Sequence, residues 1–142
     1  MLVLDSSGLL AAIDDRQEDH VAAREVLASA CGPFLLSPFV LAELEYMILT
    51  RMGQRQESAL LGEVARGAYR LEPFSPEDVA EAVSVIERYP DLEVGLAKAS
   101  VVVLANRYDT RDVLTLDERH FRVLRGMRDR PFRLLPADAG RL

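Results

Sequence analysis

Residues 1–10 read MLVLDSSGLL. Leu2, Val3 and Leu4 run directly into Asp5, and small polar residues follow before a new apolar pair. A short unbroken apolar run fits a strand buried on both faces, because a half-wetted strand alternates. The serines supply a helix cap, so SSGLLAAID (6–14) reads as a helix. A buried strand feeding a helix is the unit of a parallel sheet. Asp5 then falls at the carboxyl end of its strand.

The same alternation continues outward. EDHVAAREVLASAC (18–31) carries Val21, Ala22, Val26, Leu27 and Ala30 at helical spacing and stops at Gly32-Pro33. FLLS (34–37) is a second buried strand. Pro38 opens the helix FVLAELEYMILTRMG, which Gly53 closes. Residues 54–68 form another helix, weakened by Gly62 and Gly67. YRLEPF (69–74) is a third strand. SPEDVAEAVSVIERY (75–89) is a helix with Ser75 as cap, Pro76 first and Asp78 in the first turn. VGLAKASVVVLANRY (94–108) is a helix of small and apolar residues. DVLTLD (112–117) is a fourth strand and FRLLP (132–136) a fifth. Strands alternating with helices predict the α/β class: a mostly parallel sheet of about five strands, covered on both faces. With no linker, repeat or low-complexity tract, residues 1–142 are expected to form one domain.

Composition narrows the class of function. Hydrophobic residues make up 49% and charged ones 28%, enough to fill one core. No apolar run approaches the roughly 18–20 residues of a membrane helix. The first residues lack a basic stretch and place Asp5 inside the apolar part, unlike a secretory signal. The single Cys31 cannot build a disulfide framework. A cytoplasmic protein is expected. Net charge is −6, which argues against a nonspecific nucleic-acid binder. Eight arginines between Arg107 and Arg133 nevertheless make the last third locally basic. A solvated surface and a phosphate-contacting one, with Arg119, Arg122 and Arg125 as candidates, both fit that pattern.

Parallel sheets place their sites at the carboxyl ends of their strands. Asp5 ends strand one and Asp117 ends strand four. The helix after strand two brings Glu43 about one turn from its start, on a face shared with Phe39, Val40 and Met47. Glu45 has similarly apolar neighbours, so the pattern leaves the two open. Each acid has a plainer reading, as a turn, a cap or a paired helix residue. Several carboxylates on one sheet edge, however, make a hard-oxygen site suited to Mg²⁺ or Mn²⁺. His20 and His120, the two histidines, lie far apart and offer no zinc cluster, and DSSG fits no phosphate loop. A receiver-type domain with a reactive Asp5 is disfavoured, since no second acid follows two residues on.

MLVLDSSGLLA, SPFVLAELEYMI, GLAKASVVVLANRY and VLTLDERHF, in this order and spacing, resemble a PIN-domain protein, and most closely the VapC toxins of toxin–antitoxin pairs. The resemblance spans essentially the whole chain. It implies a three-layer α/β/α PIN-like fold and a Mg²⁺- or Mn²⁺-dependent endoribonuclease acting on transfer or ribosomal RNA. It also implies a homodimer and a cognate VapB-type antitoxin. Position by position, the family's acids fall on Asp5, Glu43 rather than Glu45, and Asp117, the expected metal ligands. Ser6 and Thr115 match polar positions beside them. The family's remaining acid is an aspartate in GxxDAS, and here that position is Lys98.

Lys98 changes the charge count. Four carboxylates match two divalent ions, whereas three carboxylates and one ammonium leave charge for at most one. A lysine at about 4 Å from a carboxylate attracts it by about 4 kcal/mol at an effective dielectric near 20, before desolvation. It would take a metal's charge role without offering a bound, acidified water. The expectation is an impaired or inactive ribonuclease, and the alternative is a non-catalytic module that binds RNA or antitoxin.

Overall fold

The computed structural model describes residues 1–140, so the last two residues of the expected 1–142 domain lie outside the described residues. Five strands appear where the apolar runs predict them, each shorter than its run: β1 Leu2–Leu4, β2 Phe34–Leu36, β3 Arg70–Leu71, β4 Asp112–Leu114 and β5 Arg133–Leu135. All neighbouring pairs are parallel, in the order β3-β2-β1-β4-β5. The helices are α1 Ser6–Ile13, α2 His20–Ser29, α3 Pro38–Met52, α4 Gln54–Ala65, α5 Pro76–Arg88, α6 Leu96–Arg107 and α7 Glu118–Phe121. Together they give the three-layer α/β/α arrangement.

The order explains the layers. From β1 the chain steps to β2 and then β3, and then returns past β1 to β4. Crossovers between parallel strands are right-handed, so reversing direction moves the connecting helices to the opposite face. Pairs α1–α2, α3–α4 and α5–α6 pack together, and α3 touches both α1 and α6. The reversal falls between β1 and β4, and at such a switch point sites form outside the carboxyl ends of the strands.

Helix α6 is buried from Ala99 through Ala105, which explains its unbroken run of small and apolar residues. Helix α5 begins with the expected capping box, Ser75 and Asp78 each bonding the other's backbone N–H. Gly53 ends α3 at φ +94°, a left-handed value that a side chain disfavours. A Cβ on Gly8 would lie 2.5 Å from the Leu114 carbonyl oxygen, so glycine lets α1 pass directly over β4.

Two expectations need correction. The serines do not cap α1: the cap position is Asp5, and its side chain bonds no helix amide, because other donors claim it. Helix α3 buries the stripe Val40, Leu44 and Ile48, which leaves Glu43 exposed rather than on an apolar face. Leu41 and Met47 pack half-buried against the core. No helix among the described residues is long and apolar enough to cross a membrane.

Candidate active site

Asp5 and Leu114 join the two strand ends: the Asp5 N–H donates to the Leu114 carbonyl at 3.0 Å. The Asp5 side chain is fully buried. Its Oδ2 accepts from Thr115 Oγ1 at 2.7 Å, Ser7 Oγ at 3.0 Å and Lys98 Nζ at 3.4 Å. Its Oδ1 has no hydrogen-bond partner among the described residues. Burying a carboxylate is costly without such donors and a cation.

Asp117 follows β4 by three residues, and its N–H donates to Thr115 Oγ1 at 2.9 Å. Its Oδ1 accepts from the His120 N–H at 3.0 Å and so caps α7. Its Oδ2 lies 3.1 Å from Lys98 Nζ and 2.8 Å from His120 Nδ1. One oxygen thus serves the helix backbone while the other meets the two side chains. Across the ring, His120 Nε2 lies 3.1 Å from the Leu92 carbonyl. Both ring nitrogens thus lie within hydrogen-bond distance of an oxygen.

Lys98 stands in the first turn of α6, 20% exposed, with its ammonium also 5.5 Å from the Phe121 ring centre. Burial pulls its pKa down, but attraction to Asp5 and the bond to Asp117 outweigh this, and the net direction is up. For Asp117, burial pushes the pKa up. The His120 amide and Lys98 outweigh it, and the net direction is down. Both partners are therefore held in their charged forms, which offsets the unfavourable cation at a helix N-terminus.

Glu43 enters through Ser6, whose Oγ donates to Glu43 Oε1. Glu45 instead faces Glu57 on α4, and its hydrogen bond, with some burial, raises the Glu57 pKa. Ser100 Oγ donates to Ser37 Oγ at 2.7 Å and so ties α6 to the cap of α3. The structure thus gathers Asp5, Thr115, Lys98 and Asp117 in one bonded cluster, with Ser6 and Glu43 adjoining through α1. Sequence reasoning passed over Ser7 and His120. Their signals were slight: Ser7 lies two residues after Asp5, and His120 lies three after Asp117 on one helical face.

The three candidate arginines differ. Arg119 is exposed and makes no ion pair among the described residues. Arg122 pairs with Asp138 at 2.8 Å and Glu118 at 2.7 Å, which raises its pKa. Arg125 donates to the carbonyls of Arg122, Val123 and Leu124. The latter two hold the α7 region together.

A family model described as a PIN domain matches residues 2–126. The chain is 40% identical over 135 residues to Ribonuclease VapC26 of Mycobacterium tuberculosis, covering 95% of this chain and 100% of that protein. The chain belongs to the PIN-domain family of VapC ribonuclease toxins. Among solved PIN-domain structures, VapC20 of Mycobacterium tuberculosis, a Sarcin-Ricin loop cleaving toxin, superimposes with a TM-score of 0.77 at 19% identity, over 82% of this chain and 90% of that one. VapBC2 from Rickettsia felis, bound to a DNA fragment from their promoter, gives 0.66 at 17%, over 94% and 97%. At those identities the likeness is one of fold.

VapC ribonucleases generally depend on a divalent metal. The residues of this PIN domain do not fit one. Lys98 Nζ lies within 3.4 Å of both Asp5 and Asp117, in the space an ion bridging them would need. Among the described residues, no group of three acidic, histidine or cysteine side chains converges as a metal cage. Asp5 Oδ1 is an unshared acceptor, while Oδ2 is taken by Thr115, Ser7 and Lys98.

Proposed function

We propose that this chain is a VapC-type toxin built on a metal-dependent endoribonuclease scaffold, with cleavage impaired because Lys98 takes the place of a metal-ligating aspartate. The carrying observation is the double ion pair of Lys98 with Asp5 and Asp117. Asp5, Glu43 and Asp117 are the acids we assign to the site, with Ser6 and Thr115 as their hydroxyl partners. An aspartate at position 98 would remove the cation and add a ligand, restoring a site for Mg²⁺ or Mn²⁺. RNA of the transfer or ribosomal class is the substrate this reading names. A VapB-type antitoxin and a second copy are its partners.

A second reading, a module that binds RNA or antitoxin without cutting, draws on the same ion pairs. Calorimetric titration with Mg²⁺ and a ribonuclease assay on the chain and on Lys98→Asp separate the two. The first reading expects Mg²⁺ heats in the variant alone and cleavage raised by about 100-fold, since metal stabilisation amounts to several kcal/mol. Cleavage equal in both proteins would sink it. Metal binding by Lys98→Asp without cleavage would favour the module.

A further inference from the structure

Phe39 is the half-buried aromatic that does not join the core. Among the described residues, the half-buried rings of Phe34, Tyr69, Phe74, Tyr89 and Tyr108 all pack against it, and Phe39 does not. Its ring meets that of Phe74 at 87°, with centres 5.0 Å apart, so the edge of one ring rests on the face of the other.

Its place is at the lip of the acid site. Phe39 is the second residue of α3, and Glu43 lies one turn further along the same face. Ser37, which caps this turn, is bonded to Ser100, two residues beyond Lys98. Phe74 follows β3, two strands from β1, or about 10 Å away.

A polyanion approaching this edge meets exposed Glu43 and an Asp5–Asp117 pair that Lys98 neutralises only in part, on a chain of net charge −6. Charge alone offers it little attraction, so RNA needs an anchor of another kind. Aromatic faces supply one, because every base has a π-face to stack. RNA is recognised largely through unpaired bases splayed from loops and ends.

We propose that Phe39, braced by Phe74, is a stacking platform for an unpaired base of single-stranded RNA lying across the acid site. This rests on the reading of the site as an RNA site.

The test uses the intact chain, chelator to suppress cleavage, and short single-stranded RNA oligonucleotides carrying a fluorescent purine analogue at one position at a time. Quenching is expected at one or two adjacent positions. Phe39→Ala should abolish it and weaken binding by about ten-fold, while Phe39→Trp restores both. Phe39→Leu keeps apolar bulk against Phe74, so it should melt near the parent temperature yet lose the quenching. Quenching retained in Phe39→Leu, or spread evenly along the RNA, overturns the platform and leaves the RNA reading standing. No RNA binding by the unaltered chain overturns both.

Discussion

Lys98 and Asp117 meet at 3.1 Å, ammonium to carboxylate, joining α6 to the segment that follows β4. The two residues are nineteen positions apart in sequence, yet each shifts the other's pKa toward the charged form. The contact leaves the acid cluster partly neutralised from within.

Lys98→Met removes the ammonium and keeps an apolar stem. Asp5, fully buried, then retains two hydroxyl donors and no cation. A loss of about 2–3 kcal/mol at neutral pH is expected from urea unfolding. The depressed Asp117 pKa contributes stability above its unfolded value, and this is lost as pH falls through the folded value. The variant should therefore show a flatter acid limb. The raised Lys98 pKa contributes below its unfolded value and is lost as pH rises through the folded one, so the alkaline limb should flatten as well. Parallel curves for the two proteins would refute the coupling.

Asp14 closes the turn after α1. Its pKa is lowered from 3.8 to about 2, chiefly by the Arg16 side chain. The stability it contributes is present above the unfolded value and disappears as pH falls from 3.8 toward about 2. Arg16 is 63% exposed, so screening holds the contribution to about 1 kcal/mol. Asp14→Asn should lose that amount at neutral pH and match the parent near pH 2. A constant difference at all pH values would count against this assignment.

The arginines near α7 divide by their partners. Arg122→Gln removes the ion pair that Arg122, 40% exposed, makes with Asp138 and should cost about 1 kcal/mol, with little change in how RNA binding depends on salt. Arg119→Gln should leave stability alone and reduce the salt slope of RNA binding by about one contact. Chemical denaturation and binding at several salt concentrations check both, and reversed outcomes would exchange the two roles.

Gly8→Ala places a methyl group 2.5 Å from the backbone oxygen of Leu114. Neither partner is a flexible side-chain tip, so a cost of about 2–4 kcal/mol is expected. Gly95, with nothing within 4 Å of its ideal Cβ, is the control. Equal melting temperatures for the two alanine variants would contradict the close approach of α1 to β4.

What the chain determined before folding was the periodicity. Apolar runs ending in Asp5, Ser37 and Asp117 marked buried strands, Pro38 marked the start of α3, and the Ser75 cap marked that of α5. Those signals are local, since they depend on which face a residue presents within its own element. Family resemblance, carried by four ordered motifs, selected Glu43 over Glu45 and exposed Lys98 as the discordant position. Tertiary structure alone brought Lys98 to both Asp5 and Asp117. It set His120 between Asp117 and the Leu92 carbonyl, left Phe39 off the core, and tied Arg122 to Asp138. The two Lys98 contacts join α6 to the ends of β1 and β4, where the strand order reverses. Spacing within one element cannot encode a meeting between side chains that separate crossovers bring together.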